Sequence, residues 1–117
     1  MTGVRDRGMV TAELAVAVPV VVVVLALGLS AIRLGIDEVR CVDAARLAAR
    51  ALARGDSEGS ARALAVTAGP PGASVVVGST GAEVSATVSA SRDLAGWRML
   101  TVRGSATAAK ERVEEQP

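Results

Sequence analysis

A single glutamate, Glu13, stands directly before an uninterrupted apolar run, and a glycine, Gly8, stands five positions ahead of it. A carboxylate at the mouth of a membrane-spanning helix is costly, about 2.5–3.5 kcal/mol at the bilayer centre and less at its edge, so it needs a partner. Two partners are open to it. One is the helix N-terminus, whose unpaired N–H groups favour negative charge. The other is an amine created by proteolysis. If the chain is cut after Gly8, Met9 gains a free amino group and Glu13 becomes the fifth residue of the product. Positions i and i+4 share a helix face, so the carboxylate can meet its own amine or that of a packed neighbour. A residue with no side chain before the cut suits a narrow protease pocket.

The remaining reactive inventory is small. Cys41 is the one cysteine, so no internal disulfide can form. It is either a small packing residue or, in an oxidising exterior, one half of an intermolecular disulfide. The chain has no His, which excludes the usual zinc clusters and any Ser–His or Cys–His nucleophilic pair. The acids lie on a charged helix face or in the tail, with no convergent pair. The expectation is a protein that is not an enzyme, with no cofactor, no metal and no small-molecule substrate. The net charge is +1 and no Lys/Arg patch is interleaved with aromatics, so no nucleic-acid partner is expected either.

The elements that must position these residues follow from patterning. Leu14 to Ile32 is a stretch of 19 residues without a charge. As a helix it spans roughly 28 Å, the thickness of a bilayer's hydrocarbon core. Lipid offers the backbone no hydrogen bonds, so a lone span must be helical. Pro19 removes one donor and leaves the Ala15 carbonyl without its usual partner, which predicts a modest bend. The helix is expected to continue through 33–55. Arg33, Asp37, Arg40, Asp43, Arg46, Arg50 and Arg54 recur at helical spacing as one polar face, Glu38 lies beside that row, and Ile32, Ile36, Val39, Val42 and Leu52 fall mainly elsewhere. Gly55 is the expected stop.

Beyond Gly55 the texture changes. Ser57–Thr67 predicts a short helix capped by Ser57 or Ser60, and Gly69-Pro70-Pro71-Gly72 breaks it. Ala73–Val77, Val84–Ala90 and Met99–Ala108 predict three strands, with a turn at Ser79-Thr80-Gly81 and a longer connection over Ser91–Arg98. The charged tail 110–117 is expected to fray. The organisation is thus a leader over 1–8, a transmembrane helix over 9–32, its extension over 33–55, a small α+β region over 56–109, and the tail. The fold class is α+β, with the small three-stranded antiparallel sheet packed on the apolar face of the 33–54 helix.

The arrangement Gly8, Met9–Ala12, Glu13 and Leu14–Ile32 resembles the prepilin signal of the type IV pilin superfamily. The start Gly-Met-Val-Thr-Ala-Glu-Leu-Ala-Val-Ala, the stretch Arg40-Cys41-Val42-Asp43-Ala44-Ala45-Arg46, its continuation Leu47–Asp56 and the Pro-Pro-Gly before the strands narrow this. Together they resemble the TadE-like minor pilins of actinobacterial tight-adherence (Flp) systems. The resemblance covers most of the chain and is tightest over 7–20 and 40–56. It implies processing by a prepilin peptidase, partnership with the membrane, other pilins and pilus assembly proteins, and a role in building thin adhesive pili. Major Flp pilins typically carry Tyr after the Glu and are little more than the helix. Here Leu14 follows Glu13 and 62 residues lie beyond Gly55, which fits a minor pilin or pseudopilin.

Orientation is not given by charge, since Arg5 and Arg7 on one flank face Arg33, Arg40, Arg46 and Arg50 on the other. The resemblance implies a single-pass cell-membrane protein with a cytoplasmic N-terminus and an extracytoplasmic C-terminal region that can enter a surface pilus. Two other readings stay open: an uncleaved single-pass anchor or scaffold, and a secreted domain behind an ordinary signal peptide. Replacing Gly8→Leu is expected to leave the uncut precursor in the membrane. Its product should run at the precursor's mass on a gel; a mature N-terminus at Met1, at Thr2 or near Ile32 in the parent chain would sink the prepilin reading.

Overall fold

The structure, a computed structural model, describes residues 3–94 and 97–111. The element order is α1 (Gly3–Ala53), α2 (Glu58–Ala68), β1 (Ser74–Thr80), β2 (Glu83–Leu94) and β3 (Trp97–Ala109). This is the α+β arrangement expected: a long N-terminal apolar helix, a short second helix and a three-stranded antiparallel sheet in the order β1-β2-β3. Two compact units divide the chain, Met1–Ile32 and Arg33–Pro117.

In the first unit α1 runs through Pro19 without interruption. Its Val and Leu side chains point into open space; Val20 to Val24 are each more than half exposed. By length and composition this helix can cross a membrane. Burying such exposed apolar surface would gain about 25 cal/mol per Å².

In the second unit α1 ends in a Schellman motif. Asp56 N–H donates to the Ala51 carbonyl and Gly55 N–H to the Leu52 carbonyl, each at 3.0 Å. Gly55 sits at φ +94°, which a side chain would resist. Ser57 then caps α2, its hydroxyl accepting from Ser60 N–H at 3.2 Å. The β1–β2 turn opens two residues later than expected: β1 continues through Thr80, and Gly81, with φ +55°, and Ala82 form the turn. The long connection expected over Ser91–Arg98 is also corrected. β2 extends to Leu94 and β3 starts at Trp97, with a register irregularity at Asp93/Leu94, because alternation carries on past Ala90. Lys110 and Glu111, expected to fray, donate backbone bonds to Ala82 and Ala53 carbonyls at 2.7 and 3.0 Å; the rest of the tail lies outside the described residues.

The core corrects one more expectation. The sheet does not rest on Ile36 and Val39, which are 50% and 60% exposed. It rests on Cys41, Ala44, Ala45, Ala48, Ala49 and Ala51, joined by Ala61 and Ala65 of α2 and by Ala86, Val88, Ala90 and Val102 of the sheet. Small side chains let the layers approach closely. A Cβ built on Gly104 would lie 2.6 Å from Val42 Cα and nearer still to the Val42 nitrogen, backbone atoms that cannot step aside. Gly104→Ala is therefore expected to destabilise this unit by about 3 kcal/mol or more, the upper end of overpacking costs. By contrast Gly59→Ala, which meets nothing within 4 Å, should be neutral or stabilising by up to about 1 kcal/mol. Denaturant melts of the full chain in detergent check both.

Candidate functional site

Gly8, Met9 and Glu13 all lie on α1, in the first unit. Nothing approaches within 4 Å of a side chain that might replace the hydrogen of Gly8. The Gly8–Met9 bond is helical, and Thr11 Oγ1 donates to the Arg7 carbonyl at 2.9 Å, one of the carbonyls bracketing it. Met9 and Glu13 line the same shallow groove along the helix, with Ala12, Val16, Ala17, Val20 and Val21. Glu13 is the one charged group on this wall. Ala12 and Ala17 make the groove, since their short side chains leave space between longer ones. Among the described residues, no cation lies within salt-bridge distance of the Glu13 carboxylate. The geometry thus puts a carboxylate and the Met9 backbone nitrogen one helical turn apart on an accessible apolar face.

Cys41 lies in the second unit, fully buried within the layer between α1 and the sheet. Burial pushes its thiol pKa up; the nearby Asp37 carboxylate pushes the same way, Arg92 partly offsets them, and Glu38 adds to the rise. A raised pKa keeps sulfur in the protonated, unreactive form. For Cys41 to enter an intermolecular disulfide, the helix would have to lift from the sheet.

Beside Cys41 is an arrangement that the charge pattern alone does not reveal. Arg92 Nε donates to Asp37 Oδ2 at 2.8 Å, its NH2 group donates to the Pro71 carbonyl at 2.9 Å, and its NH1 group to its neighbour Ser91's carbonyl at 3.1 Å. The pair is largely shielded, with side-chain exposures of 29% for Arg92 and 15% for Asp37. Asp37 therefore leaves the solvated row to which spacing assigned it; Arg33, Arg40, Asp43, Arg46, Arg50 and Arg54 stay exposed. The reason is its place one turn before Cys41 on the packed side of the helix. The signal was present in two patterns. Continuing the alternation Val84, Ala86, Val88, Ala90 by one step puts Arg92 on the inner face, where a charge needs a partner. Asp37, Cys41, Ala44 and Ala48 likewise form one helical stripe.

No protein-family model, curated protein or solved structure matches this chain.

Two outcomes follow from this geometry. Arg92→Met leaves Asp37 shielded and unpaired, which should cost about 1–3 kcal/mol in unfolding free energy. The raised Cys41 pKa means that the folded state holds the thiol proton more tightly than the unfolded chain does. Stability is then fully present below the ordinary thiol pKa of about 8.5 and declines as pH climbs through the folded value. The chain has no Tyr to mask this. Thermal melts from pH 7 to pH 10 should show the decline in the parent, and a flatter profile for Cys41→Ala; identical profiles would rule out this source of pH dependence.

Proposed function

We propose that this chain is a minor pilin or pseudopilin of a tight-adherence (Flp) type IV pilus, cut between Gly8 and Met9 by a prepilin peptidase and built into, or supporting, the pilus. In this reading the apolar part of α1 anchors the subunit in the cell membrane with its N-terminus cytoplasmic, and the second unit stands outside. The observation that carries the proposal is Glu13: a lone carboxylate on an exposed apolar helix, one turn from Met9 and sharing a groove with it. The sequence resemblance over 7–20 and 40–56 supports the same reading.

Glu13 then has a defined job. In lipid a newly made subunit offers the carboxylate few partners. A growing assembly offers the amine of an adjacent processed chain. Pairing removes an unpaired charge from a low-dielectric place, a situation that otherwise costs several kcal/mol. The pair also fixes axial register, because sliding a helix by one turn, about 5.4 Å, separates the charges.

The uncleaved anchor is the second reading. It draws on the unbroken helix across Gly8–Met9, which processing would have to unwind locally. N-terminal sequencing of the protein from membranes and from sheared pili separates the two.

Glu13→Gln is expected to be cut normally after Gly8 but not to co-purify with other pilus components, and to lower the count of surface pili. If Glu13 serves only as a helix-end carboxylate, the same change costs about 0.3–1 kcal/mol and leaves assembly intact. Normal piliation with normal co-purification would remove this role while leaving the cleavage site standing.

A further inference from the structure

The large apolar residues of the sheet are gathered at one end of it. Leu94 closes β2, and Trp97, Met99 and Leu100 open β3. Charged residues apart, the strands otherwise hold nothing larger than valine. Trp97 is the only aromatic residue of the chain. The register brings these positions together: Leu94 pairs with Trp97, Asp93 with Met99 and Arg92 with Leu100. The core gives no reason for such a grouping, since it is made of alanine, valine and one cysteine.

This end of the sheet has a defined place along the helix within the second unit. β2 runs against α1: Val88 pairs with Gly104 at the level of Cys41 and Val42, and further along the strand Arg92 binds Asp37. Past Arg92 the strands leave the alanine layer. Leu100, on the helix-facing side with its partner Arg92, is 43% exposed. From Asp37 back to Arg33 is about 6 Å along a helix, and the step from Arg92 to the end of β2 at Leu94 is about 7 Å. The sheet therefore ends near the level of Arg33, the first residue of the second unit.

We propose that this end of the sheet, Leu94 with Trp97–Leu100, is a lipid-contacting element that lies in the headgroup layer of the bilayer that α1 crosses. The inference rests on the membrane reading above. With Leu14–Ile32 in hydrocarbon, headgroups begin where the second unit begins, because Arg33 directly follows Ile32. That layer is roughly 5–8 Å deep on each side of a bilayer, and the sheet end falls within it. Tryptophan concentrates at this boundary, since its ring is apolar and its N–H needs a polar partner. Leu94, Met99 and Leu100 add apolar character, while Asp93 and Arg98 hold the element at the headgroups, because either charge would be costly in hydrocarbon. The chain itself carries the bilayer to this place, whereas a protein partner would have to be recruited.

The single tryptophan makes the test direct: with no Tyr and no Phe, the emission of the chain reports position 97 alone. The purified full chain is reconstituted into phosphatidylcholine–phosphatidylglycerol vesicles. Lipids brominated near the headgroup should quench Trp97 about twice as strongly as lipids brominated near the chain end, as befits an interfacial ring. Leu100→Glu, at an exposed position, should keep the melting profile of the parent and lower the headgroup-level quenching by about half. Quenching of Trp97 by neither lipid overturns the proposal, as does quenching unmoved by Leu100→Glu. Protection from iodide on both sides of the membrane without any quenching by lipid marks a protein partner and overturns it too. The double variant Val22→Trp, Trp97→Leu puts the probe in the middle of the apolar run and reads the membrane reading by itself. A mid-run probe quenched by chain-end bromines, with Trp97 unquenched, leaves the membrane reading standing and removes the lipid contact. A mid-run probe that no lipid quenches removes the membrane reading and the lipid contact with it.

Discussion

The second unit depends on backbone meeting backbone at one place. Gly104 of β3 lies so close to Cys41 and Val42 of α1 that no side chain fits between them. A sheet and a helix usually stand apart by the depth of their side chains. Here that depth is almost removed, and the residues around the contact obey the same restriction: alanine on the helix, alanine and valine on the sheet. The chain has no Phe and no Tyr, so it cannot build a core by filling volume with large rings. It builds one by closing the gap instead. Dispersion falls off steeply with distance, so close approach of small groups recovers contacts that their size alone would not supply.

That closeness explains how the surrounding features are arranged. Ile36 and Val39 are turned outward because a wide side chain on the packed face would hold the sheet off. Cys41 is tolerated at the contact because sulfur is compact and, when protonated, apolar. At the rim, where the alanine layer ends, Arg92 closes the structure by binding Asp37 on the helix and the Pro71 carbonyl on the loop leading into β1. One guanidinium thus ties three segments distant in sequence. At the other end the Glu111 backbone N–H donates to the Ala53 carbonyl, joining the chain after β3 to the end of α1.

The first unit obeys the opposite rule. Its apolar side chains are large, numerous and exposed, and its few polar groups satisfy themselves locally, as when Ser30 Oγ donates to the Ala26 carbonyl at 2.8 Å. A hydroxyl that returns its hydrogen bond to its own helix leaves no polar demand on the surroundings. Glu13 is the exception: among the described residues no cation lies within salt-bridge distance of its carboxylate.

The sequence by itself determined whatever depends on local period and composition. The apolar run without charge, Gly55 as the helix stop, a serine cap at Ser57 or Ser60 and the alternation over Val84–Ala90 each act through neighbours in the chain, so each could be read along it. Met9 and Glu13 share a face for the same reason, because helical periodicity alone brings i and i+4 together. The tertiary structure decided what depends on distance between layers. Spacing placed Asp37 with the solvated charges, since a helical row does not say where its edge falls. It also left Ile36 and Val39 as the natural packing face, since apolar character does not reveal that the facing strand carries a glycine. Gly104 was visible as a glycine inside a strand pattern, a mark of close backbone approach. Which backbone approached it was settled only when α1 and β3, some sixty residues apart in the chain, came together.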